Sequence, residues 1–318
     1  LRYLVTGGCG FIGSNFIRAL LSSQEDVEVV NLDMLTYAGN PQNLLELQDD
    51  SRYRFVNGDI CDPQAVETAM EGVDIVVHFA AESHVDRSIH DGSVFVRTNV
   101  LGTNTLLQCA VSRRLDKFIH ISTDEVYGSA TEGSFKEGDP LNPSSPYSSS
   151  KAGSDLLALS YYNTYGLPVL VTRCTNNYGP YQHPEKLVPR FITNLLDGKK
   201  LPVYGSGSNV RDWIHVEDHC SAVRFLVHKG RPGEIYNIGS GNELTNMDVT
   251  RRIILALGKG EESIEHVEDR KGHDFRYSLD SSKLRSMGWN PERSFDSGLL
   301  ETVEWYKTHR GWWEPLIH

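Results

Sequence analysis

Two pairs of side chains in this sequence have the types and spacing for proton chemistry. Tyr147 and Lys151 stand four residues apart in YSSSK (147–151), which on a helix puts a phenol and an ammonium on one face. A nearby cation favours phenolate and lowers a tyrosine pKa. Tyr147 is therefore a candidate base toward a hydroxyl whose carbon is losing hydride. The same pair also suits an ordinary helix surface. Asp124 and Glu125 follow Ser122-Thr123 in STDEVYG (122–128). Oxidising an alcohol needs no carboxylate pair. Eliminating water does, because an acid must protonate the departing hydroxyl and a base must take a carbon-bound proton. Alone, the dyad reads as a polar turn closing a strand; beside Tyr147 and Lys151 it points to dehydration.

A third group of residues supplies a redox partner. Gly7, Gly8, Gly10 and Gly13 (VTGGCGFIG, 5–13) follow the first apolar run and open an amphipathic stretch. Glycines there allow a tight turn and let backbone N–H groups reach a pyrophosphate at a helix N-terminus. Asp33 closes the next apolar run, 20 residues after Gly13. It is placed to accept hydrogen bonds from adenosine ribose hydroxyls and to repel a 2′-phosphate, so the expected cofactor is NAD, not NADP. Asp59, in Gly58-Asp59-Ile60, could hold the adenine amino group, or could equally be a turn or N-cap residue.

These residues need a scaffold, and the chain has one. Short apolar runs at 3–5, 27–32, 54–56, 74–79, 117–122 and 168–173 alternate with amphipathic stretches, the longest at 94–112 and 147–162. Such alternation predicts a doubly wound, Rossmann-type parallel sheet covered on both faces. Residues 176–189 read as a loop, and the rest as a smaller mixed α/β unit. A helix at 214–228 and a strand at 234–238 are expected to return to the sheet. The division is therefore a dinucleotide domain over 1–175 plus about 210–238, and a second domain over about 176–209 and 239–318. The serines around Tyr147 are not a linker, since they surround a helically spaced pair.

Composition narrows the class. The 318 residues carry a formal charge of −11, which disfavours a nucleic-acid surface. No apolar run approaches the roughly 20 residues of a membrane span. The chain opens on a strand with no secretory leader in view, so a cytoplasmic protein is expected. Cys9, Cys61, Cys109, Cys174 and Cys220 are odd in number, scattered and without a CxxC pair, so neither a metal site nor a disulfide framework is expected. Cys9 could be a nucleophile; a small residue filling the glycine loop is the simpler reading.

The glycine loop, YSSSK and the strand-end Thr123 together resemble the extended short-chain dehydrogenase/reductases that act on nucleotide sugars. FAAESHVDRS (79–88), STDEVYG (122–128), TRCTNNYGPYQHPEKLVP (172–189), NVRDWIHVEDH (209–219) and DRKGHDFRY (269–277) resemble, within that family, the dTDP-glucose 4,6-dehydratases. The likeness runs through nearly the whole chain; one departure is Arg2 where many relatives carry Lys. It implies that a retained NAD takes hydride from C4 while Tyr147 takes the hydroxyl proton, with Thr123 on the C4 oxygen and Lys151 on the nicotinamide ribose. Glu125 then takes the C5 proton, Asp124 protonates the C6 hydroxyl, and hydride returns to C6. The resemblance further implies that Phe11, Ile12, Asp33, Asp59, Ile60, Ala80, Ala81, Ser83, Thr98 and Asn177 line NAD. It places His84, Asn176, Lys186, Leu187, Pro202, Tyr204, Arg211, Asn246, Arg270 and His273 around dTDP-glucose. It also implies a homodimer through helices near 99–113 and after Tyr147. Read singly, Arg211-Asp212 and Asp269-Arg270 are equally surface ion pairs, and His84 and His273 structural.

Two competing readings share much of this pattern. A 4-epimerase, or a dehydratase for GDP- or UDP-sugars, would have the same fold; epimerisation leaves Asp124 and Glu125 unexplained, and the thymidine preference rests on resemblance. A catalytically silent NAD-binding regulator is disfavoured because Tyr147, Lys151, Asp124 and Glu125 are all present.

Overall fold

The computed structural model describes residues 1–23, 26–269 and 274–317. Twelve strands run in chain order: β1 (Arg2–Thr6), β2 (Glu28–Asp33), β3 (Tyr53–Asn57), β4 (Ile75–His78), β5 (Lys117–Thr123), β6 (Val169–Cys174), β7 (Asn176–Tyr178), β8 (Leu201–Tyr204), β9 (Val210–His215), β10 (Ile235–Ile238), β11 (Glu243–Thr245) and β12 (Ile264–Val267). Seven of them form one parallel sheet in the order β3-β2-β1-β4-β5-β6-β10. This is the doubly wound α/β architecture expected. The order reverses between β1 and β4, and ligands of such sheets bind beyond the strand C-termini at that reversal.

The inner strands are largely apolar because both faces are covered, whereas the edge strand β3 is partly exposed. Side chains alternate between faces. Tyr3, Val5, Val29, Ile75, Val77 and Ile119 join Phe16, Ile17 and Leu20 of the Phe11–Ser23 helix and Val223 and Leu226 of the Val216–Lys229 helix in one core. Leu4, Val30, Val76 and Phe118 join Val66, Leu106, Leu107 and Ala158 in the other.

The second unit has its own core, with Phe191, Ile192, Trp213, Ile253, Phe295 and Trp313. Its strands form a three-stranded sheet, β11-β9-β7, and a two-stranded one, β12-β8. Residues 210–215, expected to lead back into the main sheet, lie in this small sheet as β9; the return is made by the Val216–Lys229 helix and β10. The expected loop 176–189 begins with β7 and ends in the Leu187–Leu196 helix. The stretch 94–112 is helical but irregular, with a π-helical segment at Val96–Gly102 before the Thr103–Val111 helix. There Gly102 faces Ile60, whose side chain a Cβ would meet at 2.6 Å.

Among the described residues no helix is long and apolar enough to cross a membrane, and no His/Cys/Asp/Glu group could hold a metal ion. All five cysteines are free.

Candidate active site

A cavity of about 390 Å³ opens at the C-terminal ends of β1, β2, β4 and β5. Its floor is the glycine loop. Gly7 has φ +71°, and a Cβ there would sit 2.7 Å from Ala80 Cα; one on Gly13 would sit 2.3 Å from the Gly7 carbonyl oxygen. The loop is therefore pressed between β4 and its own helix, which leaves its N–H groups open to an anion. Asp33 is buried and accepts from Cys9 N at 2.9 Å and Leu35 N at 2.8 Å. Burial nevertheless raises its pKa. Leu35 takes the left-handed conformation at φ 55°, a strained geometry of the kind held at ligand sites. Cys9 is buried, and burial pushes its thiol up to about 12, which leaves no thiolate for nucleophilic attack at neutral pH.

Every residue expected at NAD lines this one cavity: Gly7, Gly10, Phe11, Ile12, Gly13, Asp33, Asp59, Ile60, Ala80, Ala81, Ser83, Thr98, Tyr147, Lys151 and Asn177. Asp59 is occupied on one side by Arg97, with Nη2 to Oδ2 at 2.6 Å, and on the other by Cys61 N at 2.8 Å. Asn177 is fixed by His219, whose Nδ1 lies 2.9 Å from Asn177 Oδ1, and by donation to Thr175 O at 3.0 Å.

The proton-handling residues sit where β5 meets the Pro146–Tyr165 helix. That helix starts with a capping box, in which Ser145 and Ser148 cap each other's backbone, with Pro146 in the first turn. The cap holds Tyr147 at the helix start. Lys151, one turn on, is buried and donates to the Ile121 carbonyl at 2.7 Å. Burial lowers Lys151 to about 8, against the opposing attraction of Asp155. Asp155 is held in turn by Arg173 at 2.9 Å and His120 at 3.3 Å, and Arg173 also donates to Tyr127 at 2.8 Å. A buried ionic column thus supports the Pro146–Tyr165 helix from below.

Thr123 caps the Asp124–Tyr127 turn: its hydroxyl donates to Asp124 Oδ1 at 3.2 Å and accepts from Glu125 N at 3.3 Å. Asp124 is 4% exposed. Burial, reinforced by Glu125, raises its pKa to about 8, while Arg211 pulls the other way. Its Oδ2 is buried with no hydrogen-bond partner among the described residues. Tyr147 departs from the simple Tyr–Lys expectation. Burial and the charge of Glu125 raise its pKa well above the usual phenol value, opposed by a hydrogen bond from Thr123. The Lys151 ammonium donates to the Ile121 carbonyl, and the upward shift of Tyr147 is set by burial and Glu125.

Of the expected sugar-nucleotide residues, Thr123, Asn176 and Lys186 line the cavity, with Lys186 Nζ donating to Ser83 O at 3.1 Å. His84, Leu187, Pro202, Tyr204, Arg211 and Asn246 do not line it. Pro202 and Tyr204 lie on β8, Arg211 on β9, and Leu187 and Asn246 each start a helix. His84 is paired with Glu185 at 3.4 Å. Arg211 is no surface ion pair: it is 5% exposed, donates to the carbonyls of Val210, Asp274 and Phe275, and lies 4.1 Å from the Tyr277 ring centre. Arg270 and His273 fall outside the described residues. The cavity also takes walls that sequence reasoning did not single out: Tyr37, Tyr181, Glu185, Trp312 and Leu316. Glu185 adjoins Lys186 within TRCTNNYGPYQHPEKLVP and could have been picked there. Tyr37 has the Arg87 guanidinium 3.7 Å from its ring centre, a contact no spacing announces.

The profile of the family described as GDP-mannose 4,6 dehydratase matches residues 4–302. A dTDP-glucose 4,6-dehydratase of Streptomyces niveus is 54% identical, over 99% of this chain and 96% of its own. The structure of DesIV, a dTDP-glucose 4,6-dehydratase of Streptomyces venezuelae solved with NAD bound, superposes with a TM-score of 0.97. That match has 57% identity and covers 99% of this chain and 100% of that one. A dTDP-glucose 4,6-dehydratase of Bacillus anthracis, also in complex with NAD, has a TM-score of 0.94 and 51% identity, covering 99% of each chain.

Proposed function

Because the chain belongs to the nucleotide-sugar 4,6-dehydratase family, we propose that it binds NAD and converts dTDP-glucose to dTDP-4-keto-6-deoxyglucose, a lyase reaction of deoxysugar biosynthesis. The family profile is described for GDP-mannose, but identity above 50% to dTDP-glucose enzymes along the full chain favours the thymidine nucleotide. The observation that carries the chemistry is Asp124, a buried carboxyl held protonated near neutrality beside Glu125.

NAD, when bound, accepts hydride from C4 and returns it to C6. The glycine loop and Asp33 hold it, and the fit is supported by the close backbone approaches at Gly7 and Gly13, which only glycine allows. Tyr147 takes the C4 hydroxyl proton as a phenolate, with Thr123 holding the same oxygen. Burial and Glu125 by themselves keep the phenol protonated, and the positive charge of a bound oxidised nicotinamide would favour the ionised form. Lys151, pinned between Ile121 and the Asp155 column, keeps a positive charge under the site. Once C4 is a ketone the C5 proton is acidic. Glu125 removes it, Asp124 delivers its own proton to the C6 hydroxyl, and water leaves. The C–O bond at C6 breaks as the C5–C6 double bond forms; hydride then adds at C6 and a proton at C5, so there is no net redox change. Lys186, Asn176 and Arg211 suit the diphosphate and sugar by charge and hydrogen bonding. The active form is a homodimer, a reading supported by the exposed apolar side chains Leu101 and Leu156 on the outside of the molecule. The absence of any membrane-length apolar helix among the described residues is consistent with a cytoplasmic enzyme.

The test is turnover of dTDP-glucose in deuterated water, with UDP-glucose and GDP-mannose in parallel. The expected product is the 4-keto-6-deoxy sugar with deuterium at C5. C4 inversion without loss of water would make the enzyme an epimerase. Glu125→Gln separates the steps: on adding dTDP-glucose, absorbance of bound reduced nicotinamide should accumulate while product formation falls by about 10²–10⁴, the usual worth of a general base. Normal turnover would remove Glu125 from that role.

A further inference from the structure

We propose that the C-terminal segment is a cofactor clasp: Trp312 and Leu316 wall the dinucleotide side of the cavity and slow the release of NAD(H) between the two hydride transfers. The proposal rests on the cavity's being the NAD site.

The segment reaches the cofactor loop through an unbroken chain of hydrogen bonds. Trp312 Nε1 donates to Asn43 Oδ1 at 2.8 Å. Asn43 is 1% exposed, and its Nδ2 donates to the Cys9 carbonyl at 2.9 Å. Asn40 N donates to the same carbonyl at 2.9 Å, and Cys9 N donates to Asp33 at 2.9 Å. The C-terminal indole is therefore two residues removed from the acid expected at the adenosine ribose. Trp312 and Leu316 line the same cavity as Gly10, Asp33, Asn40 and Asn43.

The segment is also anchored from behind. Trp313 is fully buried and donates to Tyr306 O at 2.7 Å. Tyr181 lies between Trp305 and Trp312, with ring centres 4.6 and 5.7 Å away, and Arg18 sits 4.2 Å above its ring. Arg18 belongs to the helix that the glycine loop opens, and Asn15 of that helix donates to Pro180 O at 3.1 Å. An aromatic block thus ties the end of the chain to the cofactor helix, so releasing the wall requires several groups to part together.

Retention matters for this chemistry. Hydride taken from C4 must return to C6 of the same molecule, so a reduced cofactor that escapes leaves a stranded keto sugar and a dead enzyme. An ordinary dehydrogenase has the opposite need.

The clasp is tested with the full chain and NAD or NADH alone, by stopped-flow release into excess competing nucleotide and by the dinucleotide content of the purified protein. Trp312→Phe keeps a ring but loses the N–H; Leu316→Ala removes wall area and no hydrogen bond. Each is expected to release NAD(H) about tenfold faster, the rate equivalent of a single buried interaction, while the cofactor-free protein stays folded, with a lower melting temperature for Trp312→Phe, which leaves the buried Asn43 Oδ1 without its donor. Trp312→Ala should go further and turn over only with added NAD. Wild-type release rates in both mild variants would overturn the clasp while leaving the dehydratase reading intact. A wild-type protein that binds no NAD would overturn both.

Discussion

A carboxyl group buried beside another carboxylate keeps its proton, and Asp124 does so with its pKa near 8 where an exposed aspartate has 3.8. Its folded-state value is raised, so the folded protein binds the extra proton between about pH 4 and 8. Stability attached to that proton is complete below pH 4 and is lost as pH rises through 8. Asp124→Asn keeps the shape and removes the charge. Calorimetry should find the variant more stable than wild type at pH 8, by up to about 5 kcal/mol, and equal to it near pH 4. Turnover should fall sharply for dTDP-glucose and less for an analogue with a good leaving group at C6; equal losses would remove Asp124 as the acid. Chain neighbours made this part of the site readable: Asp124-Glu125 and Tyr147 with Lys151 announce themselves by spacing. Tyr37 and Trp312 did not, because their partners are brought by the fold. Asn43 and Trp312, about 270 positions apart, bond across the two units. The Tyr147 ionisation differs from expectation for a related reason: spacing puts Lys151 on the same helix face, but burial and the charge of Glu125, both supplied by the fold, push the phenol up.

At the scale of elements, the catalytic helix depends on how it begins. Ser145 accepts from Ser148 N at 3.1 Å and Ser148 Oγ accepts from Ser145 N at 3.0 Å, and Tyr147 lies between them. Ser145→Ala should cost about 1 kcal/mol in denaturant unfolding and also reduce kcat, because the phenol loses its fixed helix start. A stability loss with unchanged kcat would show that the cap does not orient Tyr147. The parallel sheet was legible because strands buried on both faces are written as apolar runs. Three details were not. The π-helical turn at Val96–Gly102 has the apolar content of an ordinary helix, and its extra residue per turn leaves no mark on composition. β7 hides in a polar Asn-Asn-Tyr because three residues hydrogen-bonded to β9 need no pattern of their own. Ile214 is apolar enough for the following helix, but its place is in β9, opposite Asn177.

For the whole molecule, the outer side of the π-helical segment and the Pro146–Tyr165 helix carries exposed apolar side chains. Val96, Leu101 and Leu156 are between 51% and 60% exposed, around a shallow groove that also includes Val100 and Leu157. Apolar side chains gathered in this way are what the proposed homodimer would bury. Sedimentation should find twice the 35.7 kDa chain mass, and Leu101→Glu combined with Leu156→Glu should shift the protein to monomer; a dimer that survives both changes places the interface elsewhere. The same long-range architecture has a consequence for biosynthesis on the ribosome. β6 acquires its outer neighbour, β10, only after about 60 further residues have been made. At roughly 5–20 residues per second, the nascent sheet waits several seconds with an open edge of side chains that are all buried in the finished fold, while the intervening chain is occupied in building the second unit. Newly made protein is thus most prone to sticking to its neighbours in that interval, and a pause after β6 would lengthen it.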